Sequence, residues 1–354
     1  MMPELRSKVS FTMASSSLTI LSFLLSTLGF ASALAAAAAP MRSYLITGAN
    51  KGQGYALCKR ILSEYGDTHV YLCSRDVQRG REAKESLLTE SECDIHPDRI
   101  DVLQLDVTSD TSVQDAMNTV RLNLGPDDKL AGVVSNAGIL WGYPLPELME
   151  VCAVGVRRVL DAFVPLCQEE DGRVVVVTSG LGPLMHSYAS EEHQNALKSD
   201  DCTWDDTISP LITKCISAYE TTESSLEERI AAFDKISFPG GPFSDSAPDF
   251  HMYGLAKMFG DAYMLHVAKN YPKLRVTSVD PGLVYTDLIL KMPKYAGKEI
   301  DDTTAQTPEE GVEATMRLLF DDEAGKGEDG SGKLYAMKDG KLVFSDIDKM
   351  PQKQ

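Results

Sequence analysis

Thr47-Gly48-Ala49-Asn50-Lys51-Gly52-Gln53-Gly54 is the stretch that decides the fold. A short apolar run, residues 44–47, leads into it, and a helical pattern over residues 54–65 leads out of it. Glycines at 48, 52 and 54 let the backbone turn sharply and come close to a pyrophosphate. The N-terminus of the following helix offers that group unpaired N–H donors and the positive end of the helix dipole. An ordinary tight strand-to-helix turn is the plain alternative. The place of the cluster, between the first strand and the first helix, favours the phosphate reading.

Working outward, β-rich apolar runs occur at residues 44–47, 69–74, 100–105, 130–135, 173–178, 275–280 and, more weakly, 333–336. Runs such as Val174-Val175-Val176-Val177 lack polar alternation and read as strands buried on both faces. Helical patterns lie between them at 54–65, 77–89, 112–124, 145–168, 253–271 and 308–320. This alternation predicts right-handed βαβ units and a Rossmann-type α/β fold, a doubly wound parallel sheet of about seven strands. Residues 182–248 interrupt the pattern. They are acidic and loop-rich, but Ile208, Leu211, Ile212, Cys215 and Tyr219 keep helical spacing. Ser224-Ser225-Leu226-Glu227 has capping-box form. The segment therefore reads as an ordered, partly helical insertion.

The second strand ends in Cys73-Ser74-Arg75-Asp76. Ser74 stands where a carboxylate would grip a ribose 2′-hydroxyl. Arg75 offers a planar donor fork suited to a 2′-phosphate, and Lys51 can reach the same group. The pair favours NADP(H) over NAD. Asp106-Val107 ends the third strand, where the aspartate meets an adenine amine or caps a helix.

Tyr253 and Lys257 stand four residues apart, on one face of a helix. An ammonium there is expected to lower the phenol pKa and ready it for proton transfer to a carbonyl oxygen. Spacing alone does not identify the pair, since Tyr55 and Lys59 repeat it.

Composition narrows the function further. A net charge of −18 argues against a nucleic-acid partner, which requires a basic face. The six histidines show no metal-ligand spacing. The seven cysteines form no C-x-x-C pair and read as buried thiols. Residues 1–40 differ in kind: Arg6 and Lys8, then an apolar run over 18–34 that ends in Ala31-Ser32-Ala33 and an alanine tract. This is the pattern of a cleavable secretory signal, implying an ER route. The run Met13-Ala14-Ser15-Ser16-Ser17 also suits a plastid transit peptide, and a retained anchor is a third reading. Folding is expected from residue 41 onward, as one domain over 41–354 with no stable membrane insertion after processing. Removing Glu4, Arg6 and Lys8 leaves the rest one unit more acidic, so the acidity belongs to the folded part.

From residue 44 to 336 the chain resembles the short-chain dehydrogenase/reductases. T-G-x-x-x-G-x-G is met at Thr47–Gly54, N-A-G at Asn136-Ala137-Gly138, and the serine after the fifth strand at Ser179. Y-x-x-x-K falls at Tyr253 and Lys257, and P-G-x-V-x-T at Pro281-Gly282-Leu283-Val284-Tyr285-Thr286. The motif order selects Tyr253 and Lys257 over Tyr55 and Lys59. The resemblance implies a catalytic set of Ser179, Tyr253 and Lys257. It implies an NADP(H) site drawn from Gly48, Asn50, Lys51, Gly52, Gln53, Gly54, Arg75, Asp106, Val107, Asn136, Ala137, Gly138, Tyr253, Lys257, Pro281, Gly282, Val284 and Thr286. Within the family the chain is most similar to the NADPH-dependent carbonyl reductases, through residues 47–52 and 74–80 and the long insertion. A small-molecule ketone, aldehyde or quinone is the implied substrate, and a monomer the implied state. A plastid pigment or terpenoid ketone is the other substrate reading, and a non-catalytic NADP(H)-binding regulator the rival class.

Two residues depart from the family pattern. Cys152 stands where an asparagine usually completes the proton relay behind the lysine, and Gln53 stands where an apolar residue is usual. If the relay needs a main-chain carbonyl and a water, activity survives Cys152 with a retuned pH profile. If it needs the amide, turnover is weak. The insertion is expected to wall the substrate pocket. Its Trp204, Phe238, Phe243 and Phe250 read as the insertion's own core or as a surface that stacks on a flat substrate.

Overall fold

Leu45, Val174 and Val176 pack into one hydrophobic cluster, while Tyr44, Ile46 and Val175 pack into another. Alternate side chains of each strand thus enter cores on opposite faces of one sheet, which is why the strands read as unbroken apolar runs. The strands are β1 (Arg42–Ile46), β2 (Thr68–Ser74), β3 (Ile100–Gln104), β4 (Leu130–Ser135), β5 (Arg173–Val177), β6 (Arg275–Asp280) and β7 (Lys333–Lys338). They lie in the order β3-β2-β1-β4-β5-β6-β7, all parallel, within two residues of the predicted bounds. The computed structural model describes residues 41–90, 95–221, 225–241, 248–292, 305–327 and 330–347. The expected leader, residues 1–40, lies outside the described residues.

An eighth strand, β8 (Lys341–Asp346), pairs antiparallel with β7 and corrects the expected count of about seven. Asp339 and Gly340 make the hairpin turn, both at positive φ. This Asp-Gly pair was a legible signal. The strand it leads into, β8, is half-exposed and has no clean apolar alternation.

The helices α1 (Gly52–Glu64), α2 (Val77–Thr89) and α3 (Asp110–Asn123) follow β1, β2 and β3. The single helix expected over 145–168 is instead α4 (Leu145–Met149), a π turn (Glu150–Val154) and α5 (Gly155–Phe163). A 3₁₀ turn, Val164–Leu166, ends it where Pro165 has no N–H to continue the ladder. The insertion is more helical than its composition suggested. It holds α6 (Leu181–Tyr188), α7 (Glu191–Lys198), a π turn (Trp204–Ile208), α8 (Ser209–Glu220) and α9 (Leu226–Lys235). Short polar caps start several of these: Ser190 accepts from the His193 N–H and Thr203 from the Asp206 N–H. The expected cap Ser224 lies outside the described residues; Ser225 caps α9, accepting from the Glu228 N–H.

The next helix, α10 (Pro248–Asn270), starts five residues before the expected Tyr253 and is buried almost all round. It packs against α6, the Glu150–Val154 turn and β6, so it carries no polar face to mark its start. Beyond β6 come α11 (Asp287–Leu290), α12 (Pro308–Gly311) and α13 (Glu313–Phe320). The helix expected over 308–320 is broken at Val312, whose ψ is 1°. No helix among the described residues is long and apolar enough to cross a membrane. The six described cysteines are all buried and free, and Cys93 lies outside the described residues.

Candidate active site

From β1 the chain winds outward through β2 and β3, then crosses back to β4 on the other side. A sheet reversed in this way opens a crevice at the carboxyl ends of β1 and β4. There the structure has an open cavity of about 1190 Å³. Every sequence-predicted site residue lines it except Gly54. Gly54 is buried behind the turn, where a Cβ would lie 2.6 Å from Asn136 Nδ2 and 2.7 Å from the Gly48 carbonyl oxygen. Its role is therefore close packing of the turn on β4. Asn136 ties the same joint, donating from Nδ2 to the Thr47 carbonyl at 2.8 Å, while the Thr47 hydroxyl accepts the N–H groups of Asn136 and Ala137.

Gly48 and Gly52 are both left-handed, at φ 64° and 56°. No side chain caps α1, so its first N–H groups face the crevice unpaired by a cap. The rim of the second strand follows. Arg75 is exposed and lines the cavity, as does Arg79, which the sequence reading missed. Its place in the first turn of α2, just after the strand end that carries Arg75, was the available signal. The Asp76 carboxylate caps α2, accepting from the N–H groups of Gln78 and Arg79. Lys51 pairs with Asp287 at 2.6 Å across the crevice, linking the glycine turn to the start of α11. Asp106 lines the cavity, but its Oδ1 accepts both the N–H and the hydroxyl of Thr108. The cap of α3 is Ser109, which corrects the capping alternative for Asp106.

Ser179, Tyr253 and Lys257 all line the cavity. The Ser179 Oγ accepts the Leu181 N–H at 3.3 Å, which leaves its own hydrogen to donate into the cavity. Lys257 is buried, donates to the Val177 carbonyl at 2.8 Å, and stands 5.5 Å from the centroid of the Tyr253 ring. Tyr55 is elsewhere: its hydroxyl donates to Glu90 on the far side of α1, outside the cavity.

The electrostatics correct one expectation. Burial pushes the Tyr253 phenol well above its ordinary value, and Cys152, Asp280 and Asp261 push it the same way. The Lys257 charge is spent instead on two carboxyls, Asp261 and Asp280, whose pKa values it pulls down against the upward push of burial. Tyr253 is thus held protonated at neutral pH, as a proton donor. Cys152 is buried on the π turn, with its thiol 3.6 Å from the Ile139 carbonyl oxygen.

Part of the cavity wall is apolar and aromatic, made by Ile139, Leu140, Trp141, Tyr143, Leu181 and Phe250. Of the four aromatics singled out in the sequence, Phe250 faces the cavity edge-on to Trp141, at 5.8 Å. Phe238 is buried against His193 and Phe259, and Trp204 packs on Tyr263. Phe243 lies outside the described residues.

A short chain dehydrogenase family model matches residues 42–191. The (+)-neomenthol dehydrogenase of Arabidopsis thaliana is 27% identical over 79% of this chain and 91% of its own. Carbonyl reductase [NADPH] 3 of Rattus norvegicus is 28% identical over 79% and 91%. In fold, the chain superposes on salutaridine reductase from Papaver somniferum with a TM-score of 0.63 at 23% identity, over 83% of this chain and 99% of that one. With its glycine turn, its parallel sheet and these relatives, the chain carries a short chain dehydrogenase region over residues 42–191.

Proposed function

We propose that the protein reduces a ketone, aldehyde or quinone to an alcohol with NADPH. The observation that carries this reading is the convergence of Ser179, Tyr253 and Lys257 on one cavity with the glycine turn and Arg75. The residues present fit NADP(H). The uncapped α1 N-terminus suits the pyrophosphate, and Arg75 with Arg79 suits a 2′-phosphate. The Asp76 carboxylate is held as a helix cap and so is taken away from a ribose hydroxyl. Lys51 would join the phosphate site by leaving Asp287. When bound, the cofactor supplies the hydride that adds to the carbonyl carbon. Tyr253 donates its proton to the carbonyl oxygen, and the Ser179 hydroxyl donates a hydrogen bond to it as charge develops. Lys257 would hold the nicotinamide ribose, and Thr286 with the backbone of Pro281-Gly282 would hold the carboxamide. The apolar, aromatic part of the wall suits a ring-bearing, uncharged carbonyl compound, and the plant relatives make a terpenoid or alkaloid ketone the second substrate reading.

A regulator that binds NADP(H) without turnover is the rival that Cys152 suggests. NADPH oxidation on a panel of quinones, aromatic aldehydes and cyclic ketones separates the two. Turnover is expected in the parent, with Tyr253→Phe reducing kcat by about 10²–10⁴-fold while NADPH binding persists. Binding without oxidation on every compound supports the regulator, and unchanged kcat in Tyr253→Phe refutes the mechanism. We further assign residues 1–40 as a removable leader to the secretory route, with the plastid as the alternative. Sequencing the mature N-terminus tests the cleavage, and imaging a tagged chain tests the compartment.

A further inference from the structure

Asp261 lies two helical turns beyond Tyr253 and one beyond Lys257 on α10, so the three share one stripe. It is 2% exposed. Its Oδ2 accepts from the Thr178 hydroxyl at 2.9 Å, and Thr178 directly precedes Ser179. The buried Ser278 hydroxyl on β6 stands beside the carboxyl as a second polar neighbour. On α6, Gly182 backs the carboxylate: a Cβ there would stand 2.5 Å from Oδ2, with the α10 backbone at 3.2 Å. The carboxyl therefore fits only because position 182 has no side chain. The groups around it come from every neighbouring element. They are Tyr253 and Lys257 on α10, Thr178 after β5, Ser278 and Asp280 on β6, and Cys152 on the π turn beside α10. A buried carboxylate is costly, and one placed beside Tyr253 and Lys257 needs a reason beyond packing.

We propose that Asp261 is a positioning residue for the carbonyl reduction assigned above. It ties the strand end that carries Ser179 to the helix that carries Tyr253 and Lys257, and it supplies a buried charge to that pair. The inference rests on that functional reading. The charge is conditional. Burial pushes the Asp261 carboxyl up to about 7, against the hydrogen bond from Thr178, the attraction of Lys257 and the Ser278 hydroxyl. Below that pH Asp261 is neutral. Above it the carboxylate opposes formation of the Tyr253 phenolate. As the medium turns alkaline, Asp261 ionises first and keeps the phenol protonated. Reduction is sustained to higher pH and the reverse oxidation is held back. This local charge acts where the chain lacks the family's relay amide.

Asp261→Asn keeps the size and an acceptor for Thr178 but removes the charge. The kcat–pH profiles of both directions are measured for the parent and the variant. The alkaline limb of reduction is expected to move to lower pH in Asp261→Asn. The oxidation-to-reduction ratio at neutral pH is expected to rise, with the carbonyl KM unchanged. Thr178→Val, which removes the tie and leaves the charge, is expected to lower kcat without moving the limb, and Thr178→Ser to restore it. A superimposable pH profile in Asp261→Asn, or full activity in Thr178→Val, overturns the proposal; the second holds even if Asp261→Asn fails to fold. Absence of turnover in the parent is instead a failure of the functional reading. In that event, alkaline ultraviolet titration of the NADP⁺-bound protein still decides. The tyrosinate signal that Tyr253→Phe removes must appear at lower pH in Asp261→Asn, and an unshifted signal overturns the inference.

Discussion

His251, two residues before Tyr253, links the insertion to the start of the Tyr253 helix, and its protonation should loosen that joint. The ring is buried, meets Phe233 edge-on at 4.8 Å, and its Nε2 stands 3.1 Å from the Phe238 carbonyl oxygen. A carbonyl oxygen only accepts, so Nε2 carries the hydrogen and Nδ1 is the site left to protonate. Burial lowers the pKa from 6.5 to about 4, against the opposing pull of the Phe238 carbonyl. The unfolded chain therefore binds the proton more readily than the folded one. The stability concerned is complete above the unfolded value and is lost as the pH falls from there towards the folded value. Carried to the end of that window, the loss is about 3 kcal/mol, and at about pH 5 it is already about 2 kcal/mol. Asp261 slopes the other way, because its raised pKa favours the folded state below neutrality. The effect must therefore be read as a difference between parent and His251→Gln, which keeps a donor for Phe238 and does not titrate. Urea unfolding at about pH 7.5 and pH 5 is the assay. The variant should gain on the parent by about 2 kcal/mol between the two. Parallel pH dependences in the two proteins would refute the reasoning.

Three other outcomes follow from the cavity. On the proposed assignment, Arg75→Ala would remove one charged donor fork from the 2′-phosphate site and should lower kcat/KM for NADPH by about 10–150-fold, with NADH use unchanged. Equal losses with both cofactors would place Arg75 outside cofactor selection. Phe238→Ala should cost about 3–5 kcal/mol of stability, whereas Phe250→Ala should leave Tm nearly unchanged and raise the carbonyl KM. Thermal melts with steady-state kinetics check the pair. Cys152→Asn restores an amide on the π turn, and a kcat that rises at unchanged NADPH affinity would mark the thiol as a brake on proton transfer. An unchanged kcat would assign the relay to the main chain and the buried carboxyls.

The glycine turn, the unbroken valine run of β5 and the order of five motifs were enough to determine the sheet, its crevice and the residues that meet there. Those signals are local, because a turn without Cβ atoms and a strand buried on both faces each leave their mark on adjacent residues. What the tertiary structure alone decided depends on burial. Phe238 and Phe250 are the same residue type twelve positions apart, yet one is core and the other faces the cavity. Helix α10, enclosed on all sides, had no polar face to show where it begins or that Asp261 lies inside it. The spacing of Tyr253 and Lys257 suggested an ammonium lowering a phenol. The fold instead surrounds Lys257 with Val177, Asp261 and Asp280 and buries Tyr253, so the phenol is pushed the other way. Spacing along a helix says which groups can meet. Desolvation, and charges brought from other strands and helices, decide what they do when they meet.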